Sequence, residues 1–178
     1  MADAVFDGLL TETAEIERPE VGLDVEGGPQ TPTYQATGET VRVRTADARI
    51  LSERGLLGRT EDVTHVVYAQ ISDLRHGDRL LTRPWTTVLT EDVETGVTLL
   101  RMVSTEGLRD GQRVALGGQE LTVLAVECDQ IRVTPATGAS YEAGESVTVL
   151  ERYLVMAVED AAGAGHHLRV AAKAVRGR

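Results

Sequence analysis

The chain has 178 residues, of which 42% are hydrophobic and only 3% aromatic, and it carries a net charge of −10. That length predicts one or two domains that bury about 70% of the unfolded surface and need no disulfide or metal to fold. An acidic chain does not grip DNA by counterion release, the lone Cys128 has no partner for a disulfide within the chain, and no apolar run reaches the length of a helical membrane span.

The charge is uneven. Residues 1–40 carry −8, residues 41–90 +2, residues 91–152 −6 and residues 153–178 +2. The mixed signs suit contacts between unlike protein surfaces, although a merely solvated acidic surface is the commoner use. Residues 1–7 lack a basic region followed by an apolar core, so a non-secreted protein is expected.

Valine and threonine recur with period two, and long helical periodicity is missing. That pattern predicts strands with one buried face. Residues 9–17 (LLTETAEIE) alternate loosely and predict an edge strand ended by Pro19. Residues 19–38 hold three of the five prolines among several glycines and predict an extended arm. Residues 40–44 (TVRVR) alternate again. Residues 46–62 (ADARILSERGLLGRTED) predict one short helix stopped at Gly55, with Gly58 and Arg59 in a following loop. Residues 63–71 (VTHVVYAQI) predict a strand.

Next comes a phrase that the chain uses twice. Leu74-Arg75-His76-Gly77-Asp78-Arg79-Leu80 returns 34 residues later as Leu108-Arg109-Asp110-Gly111-Gln112-Arg113-Val114. Each copy predicts a glycine turn that launches a strand. The residues after the two copies differ, Pro84-Trp85 beyond one and the Gly117-Gly118 hairpin beyond the other. The copies are therefore expected to be one local solution used twice, not a duplicated domain. Residues 96–102, 113–116, 120–126, 130–134 and 146–150 predict five short strands, enough for a small barrel-like module. Residues 153–158 (YLVMAV) and 166–175 (HHLRVAAKAV) predict two strands joined by a turn at 159–165. The simplest layout puts the core in residues 1–92 and 151–178, with residues 93–150 as a module inserted within it. Two consecutive domains form the competing layout.

The residues that carry chemistry are sparse. His65, His76, His166, His167 and Cys128 lack ligand spacing, and adjacent His166 and His167 point to opposite faces of a strand, so no metal or other cofactor is expected. No carboxylate pair, nucleophile elbow or phosphate-cradling loop stands out, so enzyme function is not expected. Arg42, Arg44, Arg49, Arg54 and Arg59 form a cluster that faces either phosphate, an acidic partner or simply water, solvated faces being the commonest use of such runs. Arginine outnumbers lysine 17 to 1, which weakens any argument from arginine alone.

Several stretches taken together resemble the head-closure, or stopper, proteins of tailed-bacteriophage head-to-tail connectors. They are TETAEIERPE, a Gly-Pro arm, ETVRVRTADARI, a glycine loop, THVVYAQISDLRHGDRLL and RYLVMAVEDAAGAGHHLRVAAKAV. In that family a Gly-Asp-Arg run starts one barrel strand, and a Tyr-x-Val strand, a turn and a histidine-bearing strand close the barrel. Gly77, Asp78, Arg79, Tyr153, Val155, His166 and His167 occupy those places here. The middle segment, 96–151, is similar to small β-modules recurring in phage virion proteins, with Leu108, Gln112 and Tyr141 where those carry an aromatic, an aspartate and a histidine. Simple stoppers lack this insert.

The resemblance implies an all-β fold: a small SH3-like antiparallel β-barrel core, a second small β-barrel-like module inserted in it, extended arms and one short helix or loop. It implies a structural virion protein of the head-tail neck, assembled in the host cytoplasm. That protein would form a homo-oligomeric ring, as a hexamer, between portal or adaptor proteins above and tail-terminator or tail proteins below. The ring would close the head, retain packaged DNA without reading its sequence, and offer the tail its attachment surface. The channel loop falls at residues 46–62, with Arg49, Arg54, Gly55, Gly58 and Arg59. The alternatives are a tail-terminator or adaptor ring, or a virion decoration or partner-binding β-module.

Overall fold

A computed structural model of the chain describes residues 8–22, 30–47, 63–160 and 167–175. Among them lie eleven strands and no helix, so the chain is all-β. In chain order the strands are β1 (Glu12–Glu20), β2 (Thr33–Asp47), β3 (His65–Ala69), β4 (Arg79–Thr82), β5 (Thr86–Val88) and β6 (Leu99–Arg101). They continue as β7 (Arg113–Leu116), β8 (Gln119–Glu127), β9 (Gln130–Thr134), β10 (Ser146–Asp160) and β11 (Leu168–Val175).

The chain divides into two compact units. One comprises Met1–Thr82 with Arg152–Val175, and the other contains Arg83–Glu151. The sequence pattern places the start of the module at residue 93; the second unit begins ten residues earlier and so takes in β5.

In the first unit the pairings run β4-β1-β2-β3-β11-β10 and return to β4, closing a six-stranded antiparallel ring. Alternation along these strands sends Ala14, Ile16, Val41, Val43, Val67, Ala69, Leu80, Val155, Val170 and Ala172 into one core. In the second unit the ring is β7-β8-β9-β6-β5-β10. Its last closure is the Leu89–Met102 bridge, which joins the continuations of β5 and β6. Leu100, Val114, Leu116, Leu121, Val123, Ile131, Val133, Val147 and Val149 fill that core.

Going round each ring, β4, β10, β11, β3, β2 and β1 of the first correspond to β7, β8, β9, β6, β5 and the start of β10 in the second. The register matches as well. Val155 pairs with Ala172 and Val158 with Val170, with one residue bulged between. Val123 pairs with Val133 and Val126 with Ile131, again with one residue bulged between. The rings differ in chain order: the strand that opens the first ring's sequence, β1, corresponds to the strand that ends the second's. This corrects the expectation that the repeated phrase marks no larger repetition. Different turns after each copy hide the match, because ring order depends on pairings far apart in sequence.

Three local expectations also change. Residues 146–150 and 153–158 form one strand, β10, whose two halves pair in different units. The first strand runs through Pro19 and is flanked by β2 and β4, so it is no edge. Its pairing with β4 ends at Glu17, and Pro19 therefore lies where one side needs no N–H donor. The expected arm at 19–38 contains the start of β2, because Tyr34, Gln35 and Ala36 pair with Pro19, Arg18 and Glu17 in turn. Ala46 and Asp47 of the expected helix end β2, and the rest of that segment, residues 48–62, lies outside the described residues.

Candidate functional site

The residues that carry the resemblance meet at the start of β4. Arg75-His76-Gly77-Asp78 make a tight turn in which the Asp78 N–H donates to the Arg75 carbonyl at 3.1 Å. Gly77 sits at φ +91°, where a side chain would be strained, which is why the turn needs glycine there. Leaving the turn, the Gly77 N–H donates to the Val155 carbonyl (2.9 Å) and the Val155 N–H to the Asp78 carbonyl (2.8 Å). The Gly-Asp-Arg run and the Tyr-x-Val strand are therefore stitched to each other.

Asp78 is 1% exposed, so its charge must be met inside. Arg18 from β1 grips it with a fork, Nε to Oδ1 and Nη2 to Oδ2, both at 3.0 Å. The Arg75 N–H donates to Oδ2 as well, at 3.0 Å. The carboxylate thus holds its own turn shut and ties it to β1. Arg18 reaches on to the Asp73 carbonyl at 2.8 Å, and Asp73 also takes the Arg75 guanidinium. The hydrogen bond to Asp78 raises the Arg18 pKa further. Asp73 is held below the usual carboxylate range, first by its bond to Arg75 and then by the charges of Arg75 and Arg18. With every Asp78 oxygen engaged, this network works as scaffolding.

The neighbouring motif residues pack around it. The Arg79 guanidinium lies 3.4 Å over the Tyr34 ring, a cation–π contact beside a buried Nε that has no hydrogen-bond partner. Tyr153 is 4% exposed and meets the His65 ring edge-on at 5.0 Å. His167 tilts against Tyr68 at 6.4 Å. His166 and the candidate channel residues Arg49, Arg54, Gly55, Gly58 and Arg59 lie outside the described residues. Arg42 and Arg44 are exposed on β2, and Arg42 donates to the Leu10 carbonyl at 2.7 Å.

The second copy of the phrase repeats the first bond for bond. The Gln112 N–H donates to the Arg109 carbonyl (3.2 Å), Gly111 sits at φ +79°, and the Arg109 N–H is taken by the Gln112 side chain at 3.1 Å. The Gly111 N–H donates to the Val123 carbonyl and the Val123 N–H to the Gln112 carbonyl, each at 2.8 Å. Leu74 and Leu108, at the head of the two copies, are both buried.

Sequence reasoning misses three contributors. Arg18 is one, being 60 residues from Asp78. The second is the pair of buried Glu17 with half-buried Arg152, whose Nε lies 3.2 Å from both carboxylate oxygens. The third has a readable signal: Val123-Leu124-Ala125-Val126 returns as Val155-Met156-Ala157-Val158, and these are the bulged partners of the two turns.

Among the described residues no group of three or more His, Cys, Asp or Glu side chains is placed to hold a metal, and no helix is long and apolar enough to cross a membrane. No protein-family model matches the chain, and no curated protein matches it.

Proposed function

We propose that this chain is a structural protein of a bacteriophage head-tail connector. In this reading it forms a homo-oligomeric ring below the portal or adaptor, closes the head on its DNA and presents a surface to the tail. The observation that carries the reading is the mutual stitching of Gly77, Asp78 and Val155, the motif residues of the resemblance, at the closure of one barrel. Two further features support it. The network around Asp78 engages both carboxylate oxygens in holding the turn and β1 together. The β1–β2 ladder also continues from Arg18 to Glu20 beyond the last pair with β4, Glu17–Arg79, leaving a short strand edge suited to a neighbouring subunit.

The test is native mass spectrometry of the purified chain, with electron microscopy of particles made with and without it. The reading expects a closed ring on the particle axis, and particles lacking the chain that lose DNA and stay tailless. A chain that remains monomeric in every assembly context, with DNA-retaining tailed particles in its absence, overturns it.

A further inference from the structure

The second barrel does not close along its whole length. Its seam lies between β5 and the segment after β6. There the Thr90 N–H donates to the Arg101 carbonyl and the Val103 N–H to the Val88 carbonyl, each at 3.0 Å. One residue further on, the Ser104 N–H turns to the Thr87 side-chain hydroxyl at 3.3 Å. Beyond that point no main-chain bond joins β5 to residues 104–106.

The result is a groove of about 470 Å³ lined by Trp85, Thr86, Val88, Val103, Ser104 and Glu106. Carbonyls alternate sides along a strand. The Trp85 carbonyl accepts the Val149 N–H from β10, and the Val88 carbonyl faces the seam. Thr86, between them in alternation, therefore turns its main-chain donor and acceptor into the groove. One wall is apolar: Val103 is 69% exposed, and Trp85 stands beside Gly107. The exposed Glu106 carboxylate lines the groove as well. The unit around it, residues 83–151, has eleven acids against five arginines.

We infer that this seam takes an extended basic peptide segment of a partner protein as an added strand. Its main chain pairs with Thr86, an apolar side chain lies on Trp85 and Val103, and a lysine or arginine meets Glu106. Strand addition at an open edge takes affinity from main-chain bonds and selectivity from alternate side chains, and the groove supplies both. The acidic surroundings select the charge of the occupant. The inference stands apart from the ring reading, because it needs only the second barrel.

Trp85 is the only tryptophan, so its emission in the full chain reports the groove directly. The probe is a blocked hexapeptide of alternating lysine and valine. Its controls are the glutamate–valine hexapeptide and the lysine–valine peptide methylated on its main-chain nitrogens. The expected result is a saturable change in Trp85 emission with the lysine–valine peptide alone. Val103→Asp weakens it about tenfold and Glu106→Gln about fivefold. Both side chains are exposed, so both variants keep the far-ultraviolet spectrum of the parent. No saturable change, an equal response to the acidic peptide, or an equal response to the methylated peptide overturns the inference.

Discussion

The two turns that launch β4 and β7 share their main-chain bonds and differ at two positions, His76 against Asp110 and Asp78 against Gln112. Both place a glycine at positive φ, bond the fourth residue back to the first, and clasp a valine that precedes a one-residue bulge. In the first barrel the fourth residue is Asp78, buried and forked by Arg18. In the second it is Gln112, half-buried, with its amide 3.5 Å from Glu151. The shared part is what a hairpin start requires of any chain. The differing part at the fourth position is an ion pair, buried at Asp78 and partly exposed at Arg18, that ties β1 to the first turn.

The largest expected effect separates these two residues. Asp78→Ala removes three hydrogen bonds to a buried carboxylate and opens the turn, and is expected to cost about 3 kcal/mol. Gln112→Ala removes a neutral bond at a wetter site and is expected to cost about 1 kcal/mol. Urea denaturation of the two variants measures the gap, and equal costs would refute the ion pair's larger role.

The tip of the β7–β8 hairpin comes next. In the second barrel Gly117 and Gly118, both at positive φ, join β7 to β8. A Cβ on Gly117 would lie 2.3 Å from the Tyr141 ring. Gly117→Ala is therefore expected to cost about 3 kcal/mol, from backbone strain and overpacking together. In a Tyr141→Ala background only the strain remains, about 1–2 kcal/mol. A double-mutant cycle by thermal unfolding measures the coupling.

Gly77→Ala and Gly111→Ala probe the shared part of the turns. Each is expected to cost about 1–2 kcal/mol, and the two costs should agree because the backbone demand is the same. A large difference in denaturation midpoint would break the equivalence.

The smallest effect is one of pH. Bonding to Arg75 depresses the folded-state pKa of Asp73 below its unfolded value. Its contribution is thus present above about pH 4 and lost as pH falls through the depressed folded value. Asp73→Asn should lower the melting temperature slightly at neutral pH, and the gap to the parent should close in acid. A gap that widens in acid would contradict the assignment.

Much of the fold is legible in the sequence where the cause is local. Glycine turns at 77, 111 and 117–118 follow from positions that only glycine fills cheaply, and alternation marks the buried faces of β8, β9 and β10. The hidden part depends on distant pairing. Nothing near Asp78 announces Arg18, and nothing at Leu150 says that the strand continues into Tyr153. The equivalence of the rings is present in two Val-x-Ala-Val runs, yet one turn meets its run within fifteen residues while the other waits through the whole second unit.

That separation supplies the most direct test. Four residues after Gln112 and four before Val123 stand Leu116 and Gln119, joined by two glycines. Four after Asp78 and four before Val155 stand Thr82 and Glu151, joined by residues 83–150. If the rings are equivalent, those residues replace a hairpin tip, and two glycines can stand in for them. The measurement is amide hydrogen exchange by NMR on a chain with 83–150 replaced by Gly-Gly. The account predicts a folded barrel with protected amides at Gly77 and Val155. Unprotected amides at both positions would contradict it.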